Sequence, residues 1–368
     1  MHLVMLKKIR WRRITSMTDD RFFLDIHVVQ TLPPSNVNRD DTGSPKTAVY
    51  GGVNRARVSS QAWKRAMRRF FLSESEEEVG IRSKDVIRYV ADRIVEKDPA
   101  CSEEKALELA EKTFTKAKIG VKDHKTKALF FLGKKQADQL ADAALNNKSE
   151  EEVKTILRDN PAVDIALFGR MVADDSSLNE DAAAQVAHAI STHEVQTEFD
   201  FYTAVDDLAP EDNAGAGMLG SVEYNSSTLY RYANISMHEL VKQLGSKERA
   251  IAAAKLFIKA FAISMPTGKS NTFANQTLPQ FLMINIRTDR PVNLVTAFEN
   301  PVKSRRGYVA PSIQRLLEEE VKAEKFVEKP EKSLYLVDAE IEKPEWATEE
   351  ASMHALLEDF ESFASDNL

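Results

Sequence analysis

The stretch GGVNRARVSSQAWKRAMRRFF, residues 51–71, contains five arginines, one lysine and no acidic residue. The whole chain has 368 residues and a formal net charge of -7, so this positive charge is local. A helix is predicted to begin near its serine pair, where unpaired backbone N–H groups and the helix dipole favour a phosphate. The predicted phosphate donors are Ser59, Ser60, Gln61, Lys64, Arg65 and Arg68. The stretch therefore indicates a site for a polyanion.

Two further loops carry donors of the same kind. MPTGKSNTFANQ, residues 265–276, combines a glycine with amide, hydroxyl and amine groups, which suits contacts to a sugar-phosphate chain rather than to bases. VKSRRGY, residues 302–308, adds three cations. The donors selected outside the helix are Lys46, Lys269, Ser270, Asn271 and Arg305. We expect these loops to meet at one end of the fold.

Side chains that could support catalysis do not form a recognisable set. His188 and His193 are five residues apart, about 140° around a helix, so they do not offer two imidazoles to one metal. The sequence contains no G-x-S-x-G, no P-loop and no H-E-x-x-H motif. Cys101, the single cysteine, excludes a cysteine-based metal centre and fits a reducing cytoplasm. We therefore expect no enzyme activity, no metal and no cofactor.

The composition is typical of a soluble protein, with 43% hydrophobic and 29% charged residues. No apolar run approaches the roughly 20 residues that span a bilayer. Residues 1–17 are basic, and their apolar piece is too short for a signal peptide, so we interpret them as a disordered leader or as the product of an upstream start, with Met17 as an alternative first residue. The chain ends in an acidic segment that predicts a helix.

Hydrophobic periodicity predicts alternating strands and helices. Residues 21–32 alternate as a strand with one buried face. Trp63, Met67, Phe70 and Phe71 form an apolar stripe on the helix that carries the basic cluster. Predicted helices fill most of residues 73–192, followed by two strands joined by a glycine-rich tip. The helix predictions include segments 83–97, 102–118, 133–147, 149–160, 179–193 and 246–265, and the later strands begin near 279 and 332. This order predicts an α+β fold with an RRM-like, or ferredoxin-like, sheet.

Several segments resemble one known family. They are NRDDTGSPKTAVYGGVNRARVSSQAWKRAMR, VDIALFGRM, VAHAISTHEVQTEFDFYTAVDDL, GMLGSVEYNSSTLYRYANI, MPTGKSNTFANQTLP and VTAFENPV. In this order, across about residues 21–315, they resemble the CasC/Cse4 backbone subunits of type I-E CRISPR Cascade, in the Cas-seven family. The two ends of the chain fall outside the resemblance.

The resemblance implies the shape of a right hand, with an RRM-like palm, a helical fingers insertion and a β-hairpin thumb. The implied parts are the palm at 18–72, the fingers at 73–192, a palm strand at 193–203, the thumb at 204–224, the palm again at 225–345 and a C-terminal acidic helix at 346–368. The leader at 1–17 precedes them.

Matching motifs assign further roles, each implied by the resemblance. Arg39 joins the basic helix in holding guide phosphates, and Met171 wedges against the bases. The residues at the thumb root, near a kink in the RNA, are Phe201, Tyr202, Thr203 and Val205. Lysines of the fingers could steer target DNA, although a solvated helix face explains them better. These lysines are Lys134, Lys135, Lys148 and Lys154.

The resemblance implies a non-catalytic CRISPR RNA-binding subunit of an antiviral ribonucleoprotein. Such subunits assemble head to tail along the guide, in about six copies, and let it pair with one strand of target DNA. The implied partners are a large PAM-reading subunit, a small-subunit dimer, a 5′-handle cap, a guide endoribonuclease and a recruited helicase-nuclease. Two alternatives stay open. One is an RRM-like guide-processing endoribonuclease that uses His27 or His193, and the other is a helical scaffold without nucleic acid.

Overall fold

The computed structural model describes residues 21–74, 79–204 and 218–368, which form a mixed α/β fold around one large sheet. The described strands are β1 (Phe23–Ser35), β2 (Thr47–Tyr50), β3 (Val53–Val58), β4 (Ile81–Ser83), β5 (Val121–Lys122), β6 (Lys125–Thr126), β7 (Phe130–Leu132), β8 (Ala184–Val186), β9 (Ala189–Ser191), β10 (Glu198–Ala204), β11 (Met218–Ser236), β12 (Phe281–Arg287), β13 (Lys332–Val337) and β14 (Thr348–Glu349). The described helices are α1 (Ser60–Glu74), α2 (Val86–Lys97), α3 (Glu103–Lys116), α4 (Lys134–Leu145), α5 (Glu150–Arg158), α6 (Val163–Phe168), α7 (Met237–Leu244), α8 (Lys247–Ile263), α9 (Ser270–Phe273), α10 (Val309–Ala323) and α11 (Met353–Asn367). The predicted leader, the middle of the predicted thumb and Val205 lie outside the described residues.

The centre of the sheet has the strand order β12, β1, β11 and then β8 with β9. β1 is antiparallel to both neighbours, and Ile26 stands opposite Ala233 on one side and Ile284 on the other. α1 follows β1, and α8 lies between β11 and β12. This is the order and connection of a ferredoxin-like sheet, in agreement with the predicted palm.

Both faces of β1 are buried. Leu24, Ile26 and Val28 pack with α1, α8 and α11 on one face. Val29 packs on the other face with residues of α10, including Ile313. The predicted single buried face is therefore wrong, because α10 adds a second layer that local alternation does not indicate. Each such fully buried aliphatic side chain stabilises the fold by about 1.5–3 kcal/mol.

The region between α1 and β8 has a hydrophobic core of its own, built mainly from α2, α3, α4 and α5. These four helices confirm four helix predictions, and Ser102 and Ser149 cap two of them through their side chains. The helix predicted over 179–193 is wrong. The short strands β8 and β9 stand there and pair with β11. An alanine-rich apolar run is compatible with a helix or a strand. The edge of β11 that does not pair with β1 offers backbone hydrogen bonds, which favour the strand here.

β11 is a single strand of 19 residues that pairs with different neighbours along its length. Its first part pairs with β10, and its second part pairs with β1. The hairpin of β10 and β11 is thus a direct extension of the central sheet. The two strands agree with the prediction, and the predicted tip lies outside the described residues.

The acidic C-terminal helix α11 packs on α8 and β13 of its own chain. Leu356, Phe360 and Ala364 are fully buried there. Ion pairs join Lys255 to Glu361 and Lys332 to Asp359. Of the helices in the described ranges, none has the length and hydrophobicity of a membrane span.

Candidate nucleic-acid interface

Three loops that are distant in sequence surround a cleft of about 600 Å³. The loop after β1, the first turns of α1 and the loop after α8 line it. It holds four basic side chains, Arg39, Arg65, Arg69 and Lys269. None of these four forms an ion pair with any residue that the structure describes. Unneutralised cations around a cleft favour a polyanion.

Backbone contacts hold the three loops together. The Asn38 side-chain oxygen accepts a hydrogen bond from the Ser59 N–H at 2.8 Å, which ties the first loop to the start of α1. Gly268 lies so close to Val37 that an added Cβ would be 2.2 Å from the Val37 carbonyl oxygen. Only glycine allows this approach, which brings Lys269 to the same cleft as Arg39.

The cleft also contains acidic side chains, including Asp40. Its Oδ1 accepts hydrogen bonds from the Thr42 hydroxyl, the Thr42 N–H and the Ser44 N–H. These bonds, the Thr42 hydroxyl first, hold the pKa of the Asp40 carboxyl below its usual value. Asp40 therefore organises its own loop instead of pairing with the nearby arginines.

The basic residues of α1 face two directions. Arg65 and Arg69, one turn apart, line the cleft. Lys64 is half-buried with its amine 5.5 Å from the centre of the Phe168 ring, and burial lowers its pKa. Arg68 donates to Asp164 at 2.8 Å and to the Gly80 carbonyl at 3.0 Å. Arg68 therefore joins α1 to α6, a structural role that was not predicted, and its contact with a phosphate stays a prediction.

Ser59, Ser60 and Gln61 begin the helix as predicted. The Ser59 hydroxyl accepts from the Ala62 N–H at 3.3 Å and so acts as the cap. Gln61 is exposed and Ser60 partly exposed beside it. Ser270 and Asn271 lie on α9, directly after Lys269, and Asn271 is exposed.

Met171 is 83% exposed, which excludes a role in core packing. The preceding Arg170 is buried, and its guanidinium donates to the carbonyls of Leu178 and Leu157. The hydrogen bonds of Arg170 thus fix the backbone next to Met171, whose apolar side chain faces solvent. An exposed apolar side chain can contact a base, and the role of Met171 as a wedge stays a prediction.

The β10–β11 hairpin presents an apolar face. Phe201 is 68% exposed, and Tyr202 and Thr203 beside it are also exposed. Phe199 and Leu219 share the face of Phe201, since residues directly opposite in an antiparallel pair point the same way. Exposed aromatic groups of this kind stack on bases without sequence preference. Phe199 and Leu219 were not predicted, although their alternation with Phe201 could have indicated them.

Arg305 lies in a second cleft of about 600 Å³, together with Lys303, Glu194 and Tyr308. It is therefore not brought to the cleft of Arg65 and Lys269. β3 runs between the two regions, because α1, which lines the first cleft, follows it, and the carbonyl of its Asn54 accepts from the N–H of Val195, next to Glu194 of the second.

The four lysines of the fingers have different surroundings. Lys154 is nearly buried and pairs with Glu150 at 2.9 Å and Asp175 at 2.8 Å. Its proposed contact with DNA is therefore corrected to a structural role. Lys148 lies 3.7 Å from Glu152. Lys134 and Lys135 stand at the start of α4, and their contact with DNA stays a prediction.

The two histidines considered for catalysis are both held by the fold. His27 is fully buried, its Nδ1 is 2.9 Å from the Tyr230 hydroxyl, and burial lowers its pKa to about 3. His193 Nδ1 donates to the Glu194 carbonyl at 2.7 Å, and its Nε2 accepts from the Thr228 N–H at 3.1 Å. In the described parts of the chain, no group of three or more His, Cys, Asp or Glu could hold a metal ion.

Comparison with known proteins gives concordant results. The sequence pattern of the CT1975-like protein family matches residues 24–361. A chain of a solved structure described as "CRISPR RNA-guided surveillance complex, pre-nicking" is 31% identical, with a TM-score of 0.83 over 93% of this chain and 100% of that one. A chain of a "CRISPR RNA-guided surveillance complex" is 27% identical, with a TM-score of 0.73 over 93% of this chain and 99% of that one. No curated protein matches.

Proposed function

Because the chain belongs to the CT1975-like protein family and resembles chains of CRISPR RNA-guided surveillance complexes over nearly its whole length, we propose that it binds the CRISPR RNA guide as a backbone subunit. The observation that carries this proposal is the first cleft, where four cations with no ion-pair partner among the described residues converge from two loops and α1. A guide carrier must hold any spacer sequence, so it grips phosphates and leaves base edges free to pair.

The fuller assignment is a non-catalytic subunit of a cytoplasmic type I-E Cascade. Copies assemble head to tail on the guide, about six in each complex, because one surface meets a different surface of the next copy. The guide then pairs with one strand of target DNA. The companion subunits are the large subunit, the small-subunit dimer, the 5′-handle cap and the guide endoribonuclease. The exposed Met171 and Phe201 support this assignment as groups that interrupt stacking.

The first test removes the two arginines of the cleft. We expect Arg65→Gln with Arg69→Gln to weaken binding of single-stranded RNA about tenfold for each charge-assisted hydrogen bond lost. Losing two phosphate contacts lowers the salt slope by about 1.4. Fluorescence anisotropy over a salt series, with two unrelated RNA sequences, measures both effects.

The matched control is Arg88→Gln with Lys105→Gln, which removes two exposed charges of the fingers. This control should bind RNA almost as the native protein does. An equal loss in both double variants, or a loss confined to one RNA sequence, contradicts a phosphate-gripping cleft.

Non-catalytic behaviour is tested with repeat RNA. The hydrogen bonds of both His193 nitrogens leave neither free to transfer a proton, which supports the proposal. We expect purified protein to leave repeat RNA intact on a sequencing gel. Cleavage that His193→Gln abolishes would establish the endoribonuclease alternative instead.

A further inference from the structure

A separate group of basic side chains lies beside β3, between the two clefts. Lys46 precedes β2, Arg57 is on β3, and His188 lies between β8 and β9. Arg57 Nε donates to the Thr47 carbonyl at 3.1 Å, which fixes the guanidinium. Arg57 Nη1 donates to His188 Nδ1 at 3.1 Å. Since Nδ1 accepts this bond, the ring is neutral and carries its proton on Nε2.

The electrostatics of this group favour an anion. Burial, then Arg57, then Lys46 lower the pKa of His188. The two charged groups that act on the ring, from β3 and from the loop before β2, are thus both positive. Neither Arg57 nor Lys46 forms an ion pair with the described residues. Two cations held close together without a counter-ion repel each other, and a bound oxyanion offsets this repulsion.

An unpartnered donor lies beneath the same group. A cavity of about 10 Å³ is lined by Lys46, Arg57 and Asn225, among others. Asn225 is 6% exposed, and its Nδ2 has no hydrogen-bond partner in the described part of the protein. This volume holds about one water molecule, so a larger oxyanion can lie only at the mouth of the cavity.

We propose that Lys46, Arg57 and His188 form a phosphate-binding site whose occupation is coupled to the uptake of one proton by His188. A phosphate oxygen replaces His188 Nδ1 as the acceptor of the Arg57 N–H. The freed Nδ1 takes a proton from solvent and donates to a second phosphate oxygen. No covalent bond of the phosphate changes, and the protein gains one positive charge. The inference rests on the proposed function only because it assigns the bound phosphate to the backbone of the guide RNA.

The site predicts RNA binding that strengthens as pH falls. Without a ligand, the pKa of His188 lies below its usual value, and a bound phosphate raises it. RNA affinity therefore increases as pH falls, by about tenfold in total for each unit by which the phosphate raises this pKa. His188→Gln keeps an acceptor for Arg57 but does not titrate, and its affinity should change much less between pH 8 and pH 5.5. His354→Gln, an exposed histidine on α11, is the matched control and should behave as the native protein. Fluorescence anisotropy with single-stranded RNA across this pH range measures these affinities.

A second arm uses sulfate, which keeps its double charge across this pH range. In NMR titrations sulfate should raise the pKa of His188, and Arg57→Gln should abolish that rise. If RNA fails to bind at any pH while sulfate raises the pKa, the oxyanion site stands and the proposed function falls. If RNA binds but neither RNA nor sulfate alters the titration of His188, the site is refuted and the proposed function stands.

Discussion

Arg65 and Arg68 lie close together on α1 but have different roles. Arg65 is exposed at the cleft, whereas Arg68, three residues later, reaches Asp164 of α6. Asp164 is fully buried and also accepts from the Gly80 N–H at 2.8 Å. Burial raises the pKa of the Asp164 carboxyl, and the Arg68 guanidinium opposes that rise. Removing Arg68 thus leaves a buried carboxyl without its counter-charge.

We therefore predict that Arg68→Met lowers the free energy of unfolding by about 3–5 kcal/mol at pH 7. The loss should shrink as pH falls towards 4. Without Arg68 the folded-state pKa of Asp164 rises further, so stability declines as pH increases from the unfolded pKa to the folded one. Urea unfolding at both pH values measures this. Arg65→Met should cost about 0.5 kcal/mol or less, and an equal cost for the two variants would refute the structural role of Arg68.

At the scale of elements, the interface depends on loops from different parts of the chain. Gly268→Ala places a methyl group 2.2 Å from the Val37 carbonyl oxygen, so the loop that carries Lys269 must move. We predict weaker RNA binding, measured by anisotropy, together with lower stability. Gly245→Ala is the control, since its φ of +66° strains the backbone while the added methyl meets no atom within 4 Å. It should lower stability by about 1 kcal/mol and leave RNA affinity unchanged. Unaltered binding by Gly268→Ala would contradict the role of this loop.

The helices and strands also show which parts of the fold can be predicted from the sequence. The 3.6-residue apolar stripe correctly predicted α1, because Trp63, Met67 and Phe71 are buried and Phe70 is partly buried against the same core. The inward turn of Arg68 could not be predicted, since Asp164 is 96 residues away along the chain. The pairing of β8 and β9 with β11 is likewise a tertiary contact that overrides local preference. Periodicity predicts which side chains a core needs, and it is silent on distant partners.

On the scale of the whole molecule, the C-terminal helix α11 packs on α8 and β13, against the core beside the central sheet. Phe360 of α11 is fully buried within the same cluster as Leu24, Ile26 and Phe257. We predict that Phe360→Ala lowers the free energy of unfolding by about 3–5 kcal/mol. Phe326→Ala is the matched control, since Phe326 is 91% exposed and should change stability by about 0.5 kcal/mol or less. Comparable stability of the two variants in denaturant unfolding would show that α11 does not dock as described.

We propose that the cleft of Arg39, Arg65 and Lys269 holds a sugar-phosphate chain without reading its bases. Co-purification of the chain with its partner subunits, followed by sizing and sequencing of the bound RNA, tests it most directly. Native protein should retain RNA of defined length and varied spacer sequence, and the triple change of these residues to Gln should release it. Full retention of RNA by the triple variant would contradict the account.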